Sequence, residues 1–275
     1  MKLSTTTLGC PDWNLDQVIE KCSAFGFQGV DLRGLQGDLD VTVLPEFKEG
    51  ISNTKRKFED FGLEVSGVSS SLRICVDSML NENLEEARRT IEVVRALECD
   101  RIRVFGGGNP NIQSYEKLAD QGSLTMEEIL RLDGASEIKW MLETHDAWID
   151  PDYCSLLLQR ITSSAFGILW DIGHTARMGN ASHHETFKTI GCRTYYTHVK
   201  DAILDPSHPQ AMKDGWRYVV PGEGSLRLKE AIAVLKENHY QGWIMFEHEK
   251  RWHVDLEEPD VVFPQFVAWA IPLIG

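Results

Sequence analysis

The chain has 275 residues, 42% of them apolar and 25% charged, enough to bury a sizeable core in one large domain or two small ones. Lys and Arg number 28 against 42 Asp and Glu, a formal net charge of −14 that repels the phosphate backbone and argues against a nucleic-acid partner. No run approaches the roughly 18 apolar residues of a membrane span, and polar Ser4, Thr5, Thr6 and Thr7 ahead of Cys10 argue against a cleaved leader.

The predicted elements alternate from the start. Leu3 to Leu8 reads as a strand bounded by Gly9 and Pro11, and Asn14 caps a helix with Leu15, Val18, Ile19, Cys22 and Phe25 on one face. Gly29 to Arg33 is a second strand, Glu46 to Phe61 a helix stopped by Gly62, and Leu63 to Val68 a third strand. Asn83 is expected to cap the next helix, whose stripe is Leu84, Ala87, Ile91, Val94 and Leu97. Arg101 to Phe105 is a fourth strand running into Gly106-Gly107-Gly108, a triplet that lacks nucleotide-loop spacing and is expected to form a flexible loop. Asn109 to Glu137 suggests a loop and a short helix over Met126 to Leu132. Ile138 to Thr144, Phe166 to Asp171, Arg193 to Val199 and Trp243 to Glu247 are the last four strands. Helices are expected over Tyr153 to Ile161, over His184 to Ile190, around Leu228 to Leu235, and within Val261 to Ile271. A long polar connection covers Asp201 to Gly224. Eight strands alternating with helices, without a break in composition, predict a single (β/α)8 barrel over residues 1–275; a doubly wound open sheet is the alternative.

In such a barrel the chemistry sits where strands end. Glu143, Asp171, His198 and Glu247 close the last four strands. Singly, each has an ordinary explanation: Asp171 as a helix cap, His198 as a buried hydrogen-bonding residue, a glutamate as a rim ion pair. Together, three carboxylates and an imidazole make a hard, oxygen-rich set suited to one divalent ion, Mn²⁺, Mg²⁺, Co²⁺ or Zn²⁺, which would offset their repulsion. His174 lies three residues after Asp171, and Gly173 is expected to let the chain turn so that both approach one pocket. His145, Lys200 and Glu249 share strand parity with Glu143, His198 and Glu247 and point toward the same mouth. Asp31 and Arg33 line the pocket or form a rim ion pair. Trp13, Trp148, Trp216 and Trp252 fall in loops at that level, as a sugar-stacking wall or, more simply, as packing. The six cysteines show no CxxC spacing and read as reduced packing thiols of a cytoplasmic protein.

The motifs from Phe27 to Arg33, Leu142 to Asp146, Trp170 to His174, Thr197 to Asp201, Pro221 to Gly224 and Phe246 to Glu249 resemble, in order, those of the xylose isomerase-like TIM-barrel superfamily, its sugar and sugar-phosphate isomerase/epimerase branch in particular. The resemblance implies Glu143, Asp171, His198 and Glu247 as metal ligands and His174 as a substrate contact. It implies Glu143 and Glu247 as the proton-transfer pair of a metal-dependent isomerase or epimerase working through a metal-stabilised enediolate. His145 and Lys200 would join His174 in binding a small carbohydrate. The family's arginine contact does not align securely; Arg217 is the candidate, with Lys213 behind it, and the fourth helical segment looks short for the family.

Three rivals share this frame. A metal-dependent dehydratase of a keto-polyol, such as an inositol ketone or a dehydroshikimate-like substrate, uses the same first proton abstraction. An endonuclease IV-like repair enzyme needs extra histidines at the ends of strands three and four, where this chain has Gly67-Val68-Ser69-Ser70 and Val104-Phe105-Gly106-Gly107. A non-catalytic sugar-binding role is the third. Aromatic loops are compatible with a homodimer.

Overall fold

A computed structural model describes residues 1–179 and 181–275. Eight parallel strands close into a barrel: β1 (Lys2–Thr6), β2 (Gly29–Leu32), β3 (Glu64–Arg73), β4 (Arg101–Phe105), β5 (Lys139–Glu143), β6 (Phe166–Asp171), β7 (Thr194–Val199) and β10 (Trp243–Phe246). β1 seals the ring by pairing with both β2 and β10. The remaining strands, β8 (Asp201–Leu204) and β9 (Trp216–Val219), form an antiparallel hairpin beside it. This hairpin occupies most of the long polar connection expected over Asp201 to Gly224. The single (β/α)8 barrel is therefore the observed fold.

The helices surround the barrel: α1 (Leu15–Phe25), α2 (Ile51–Asp60), α3 (Leu80–Ala96), α4 (Tyr115–Leu130), α5 (Pro151–Arg160), α6 (Ile172–Met178), α7 (His183–Ile190), α8 (Leu228–Glu237) and α9 (Pro259–Ile274). Asn14 caps α1 through its side chain, with Gln17 completing a capping box. Three expectations fail locally. Asn83 lies inside α3; its amide instead clamps both backbone groups of Arg73, at 3.0 Å each, tying the end of β3 to the helix. The expected helix over Glu46 to Phe61 is broken into a 3₁₀ turn at Pro45–Phe47 and α2. The fourth helix is sixteen residues long, neither short nor confined to Met126–Leu132. Its Gly122 weakens the sequence signal, yet a Cβ there would come within 2.8 Å of Cys75 Sγ and 2.7 Å of Leu157 Cδ2, so close packing demands the glycine.

Inside the barrel, Met141, Leu169, Tyr196, Trp243 and Met245 form a separate buried cluster. This layer fixes where the chemistry stands. Side chains two residues further along a strand point the same way. Glu143, Asp171, His198 and Glu247 are each two residues beyond Met141, Leu169, Tyr196 and Met245. The apolar layer is thus the floor on which the polar ring rests. No helix among the described residues is long and apolar enough to cross a membrane, and all six cysteines are free, five of them buried.

Candidate metal centre

The four strand-end residues meet. His198 Nδ1 lies 3.2 Å from Glu143 Oε1, 3.1 Å from Glu247 Oε1 and 3.9 Å from Asp171 Oδ2. A second imidazole faces the same carboxylates: one donor atom from each of Glu143, Asp171, His174 and Glu247 lies within 4.8 Å of the others. Asp171 brings His174 into place by capping α6. Its Oδ1 accepts the His174 backbone N–H at 2.7 Å, and its Oδ2 stays turned to the site, 3.6 Å from His174 Nε2. Gly173 is not the turn expected of it. It sits within the first turn of α6, where a Cβ would strike Lys200 Cγ at 2.5 Å; its role is to admit the lysine.

Lys200 enters the cluster as an organic cation. Its Nζ is 2.8 Å from Asp171 Oδ2, 2.9 Å from Glu249 Oε1 and 3.2 Å from His174 Nε2, and it also touches Glu247 Oε2. Arg103 on β4 is the site residue that the sequence reading missed. Its Nε lies 3.3 Å from Glu143 Oε2, with both side chains almost fully buried. A signal was available: Ile102 and Val104 are the apolar, outward face of β4, so Arg103 between them had to point into the lumen. Its guanidinium also stacks on Phe105 at 3.8 Å, and Phe105 in turn touches the ring of His145 at 4.9 Å.

Charge explains the shifts in acidity. Burial works to raise the Glu143 carboxyl, but Arg103 and His198 outweigh it and hold it at about 2. Asp171, buried and facing Glu247 and Glu143, is pushed up to about 7 although Lys200 opposes the shift. Burial lowers His198 less than the surrounding carboxylates raise it, to about 10. Burial also opposes the charge on Lys200, yet Asp171, Glu247 and Glu249 hold it well above the usual lysine range. His174 is driven far below the ordinary imidazole value by burial and then by Lys200 and His145, so it stands neutral, with a lone pair to offer.

The donor set fits a divalent cation. Asp171 Oδ2 and both nitrogens of His198 are buried without a hydrogen-bond partner, since the short contacts to them lack hydrogen-bonding geometry. Three carboxylates and a neutral imidazole are what a hard or borderline ion takes. Glu143, Asp171 and Glu247 would hold it with His198, and His174 is the alternative nitrogen.

The other predicted residues divide. His145 flanks the centre, its ring 4.8 Å from that of His174 and its Nδ1 3.1 Å from Asp146. Arg217 on β9 stands apart, its Nε 3.7 Å from Asp205, yet it lines with Lys200 and Glu247 a cavity of about 190 Å³ under the hairpin. Lys213 is exposed on the hairpin loop. Asp31 and Arg33 do not pair: Arg33 binds Ser71 Oγ at 2.9 Å, and Asp31 accepts from Ser69. The tryptophans build no shared wall. Trp148 is fully buried with its N–H on Gly107 O at 2.8 Å, Trp13 packs edge-on against Phe263, and Trp252 alone of the four is largely exposed. The Gly106-Gly107-Gly108 segment is accordingly no free loop: a Cβ at Gly106 would fall 2.1 Å from Trp148 Cδ1. Asp201 organises the Pro221–Gly224 turn, its Oδ2 accepting from the backbone of Gly222 and Gly224 at 2.9 and 3.0 Å.

Comparison with known proteins agrees with this fold. The sequence profile of the xylose isomerase-like TIM barrel matches residues 19–265. Over 103 residues the chain is 32% identical to an inosose dehydratase of Bacillus thuringiensis (strain Al Hakam); the match spans 34% of this chain and 34% of that protein. The fold is shared with IolI, a protein solved with a bound zinc atom, at TM-score 0.80 and 16% identity over 100% of this chain and 98% of that one. It is shared equally with a D-tagatose 3-epimerase-like protein, at TM-score 0.77 and 20% identity over 100% and 98%.

Proposed function

This chain belongs to the xylose isomerase-like TIM-barrel family, and from that membership and the shape of its site we propose that it is a divalent-metal-dependent dehydratase of a keto-polyol, such as an inositol ketone. The sequence ranked a sugar isomerase or epimerase first and a dehydratase second. The matched stretch of inosose dehydratase favours the second, and so does one observation, the Arg103–Glu143 ion pair. A two-base epimerase needs both glutamates able to accept and return a proton. Arg103 holds its charge 3.3 Å from Glu143 Oε2 from a packed, buried position on Phe105, a fixed cation that disfavours protonation of that carboxylate.

Burial works to raise the Glu247 carboxyl as well, and His198 and Lys200 hold it well below the usual carboxylate range; what differs is the mobility of its cation. Glu247 Oε2 is covered only by Lys200, whose ammonium has Glu249 as a second partner to move to. A divalent ion held by Glu143, Asp171, Glu247 and a histidine would supply Lewis-acid polarisation of a substrate carbonyl. Glu247 then takes the proton from the carbon beside that carbonyl. The bond from the β-carbon to its hydroxyl breaks, and Lys200 gives the departing oxygen a proton, so that water leaves and a carbon–carbon double bond remains. Return of the proton from Glu247 to Lys200 across their contact resets both groups. Neutral His174, beside Lys200 and Asp171, orients the polyol.

The test is metal-stripped protein reloaded with Mn²⁺, Co²⁺ or Zn²⁺ and incubated with an inositol ketone and with ketoses in D₂O. The expected result is loss of water, seen as a conjugated-carbonyl absorbance and by NMR, from the inositol ketone, lost on Glu247→Gln. Stereoisomer formation from a ketose without loss of water would overturn the dehydratase reading in favour of the epimerase.

A further inference from the structure

The tryptophan wall expected at the mouth reduces to one ring, and that ring has a groove of its own. Trp252 is 52% exposed. With Pro11, Asp12, Gln36, Gly37 and Arg251 it lines an open groove of about 440 Å³. These residues lie in the loops that follow β1, β2 and β10, on the same face of the barrel as the strand-end carboxylates. The link to the site is short. The Trp252 N–H donates to the Glu249 carbonyl at 3.0 Å, and the carboxylate of that same Glu249 lies 2.9 Å from Lys200 Nζ.

Several bonds hold the groove in shape. The Arg251 backbone N–H donates to Leu8 O at 3.1 Å. Its guanidinium donates to the Gly37 carbonyl at 2.9 Å and to that of Gln36. Gln36 and Gly37 are the tip of a tight turn closed by Leu35 and Asp38, and Gln36 stands at φ 50°, a left-handed conformation uncommon for a residue with a side chain. The same guanidinium lies 5.7 Å from the centre of the Trp252 ring, within cation–π range. Above Gly37 the space is open, with nothing within 4 Å of where a Cβ would stand.

The chemistry of this lining is that of a carbohydrate site. An exposed indole offers a flat apolar platform to the C–H face of a sugar. Asp12 can accept from hydroxyl groups, and the Gln36 amide can both donate and accept. Arg251 is engaged by two carbonyls, and Asp12 would repel a phosphate or a carboxylate. We infer that this groove is an outer subsite for a neutral sugar ring, so that the substrate is a keto-polyol carrying a glycosyl substituent rather than a phosphorylated one. The inference rests on the keto-polyol reading and narrows it.

The test is calorimetric binding of myo-inositol, of galactosyl-myo-inositol and of myo-inositol 1-phosphate to the full chain loaded with Zn²⁺. None of the three has a carbonyl to react, so equilibrium affinity is read without turnover. The galactoside is expected to bind roughly 10-fold more tightly than myo-inositol, and the phosphate no more tightly. Trp252→Ala is expected to erase that gain while leaving myo-inositol binding unchanged, and Trp252→Phe, which keeps an aromatic face, to retain most of it. Myo-inositol binding with no gain from the galactosyl group overturns this inference alone. So does a gain that survives Trp252→Ala, an equal loss for both ligands in that variant, or tighter binding of the phosphate than of the galactoside. Protein that binds none of the three overturns the keto-polyol reading, and this inference falls with it.

Discussion

Arg103→Met removes one partner of an ion pair whose members are 3% and 2% exposed. Glu143 would then be a buried carboxylate deprived of its main cation. Breaking such a pair from one side costs about 3–5 kcal/mol, because the surviving charge is left without its partner. His198 Nδ1, still 3.2 Å from the other Glu143 oxygen, softens the loss, so the lower end, about 3 kcal/mol, is expected. In a domain of this size that corresponds to a fall in Tm of roughly 6–12 °C. Urea unfolding of the metal-free protein at pH 7 measures it. The companion variant Arg103→Met/Glu143→Leu removes both charges and is expected to return near wild-type stability, since an apolar pair can replace a buried ion pair at little net change. A single substitution costing under about 1 kcal/mol, or a double-mutant cycle additive to within about 0.5 kcal/mol, would refute the claim that Arg103 holds Glu143 neutralised.

Two other outcomes follow from the fold. Gly106→Ala is expected to destabilise by about 3 kcal/mol or more, because its Cβ would sit 2.1 Å from the buried ring of Trp148, whereas Gly37→Ala, with nothing within 4 Å, is expected to be near neutral; thermal melts of the two compare them. His183 is buried with Nε2 on the Leu226 carbonyl at 3.0 Å, and burial lowers it from the ordinary 6.5, so the folded protein binds fewer protons there than the unfolded chain. Its contribution is therefore complete above pH 6.5 and lost as the pH falls below it, and His183→Gln is expected to flatten the drop in urea midpoint between pH 7 and pH 5.

The barrel and the ring of strand-end carboxylates and imidazole were legible because both follow from strand periodicity. Met141 and Glu143, or Tyr196 and His198, are read from spacing of two alone, and a polar residue after an apolar inward one marks a strand end. What stayed hidden depends on contacts between distant segments. Gly122 looks like a helix breaker until Cys75 and Leu157 are placed against it. Asn83 looks like a cap until the end of β3 is seen to need its amide. The hairpin β8–β9 carries its pairing in a polar stretch, where alternation is weak and Asp201 supplies the order by accepting the backbone N–H groups of Gly222 and Gly224, 21 and 23 positions away. Arg103 escaped notice for the opposite reason: a charge inside a short strand is easily assigned to solvent, and only the burial of its neighbours Ile102 and Val104 turns it inward.

Asp171 shows why a modest reading and a functional one need not compete. As a helix cap it spends one oxygen, Oδ1, on the His174 N–H. That bond fixes the carboxylate's rotation, and the fixed rotation presents Oδ2, fully buried, to the site and to Lys200 Nζ at 2.8 Å. The same cap starts α6 and so decides where the His174 ring stands, with Nε2 3.2 Å from Lys200. Substituting Asn here would preserve an oxygen for the cap while removing the charge from the cluster. The fold and the chemistry thus depend on different atoms of one side chain. A strand that ends in an aspartate and passes directly into a helix can therefore set a buried carboxylate and a neutral imidazole within a single turn of chain, with room at Gly173 for the lysine packed against it.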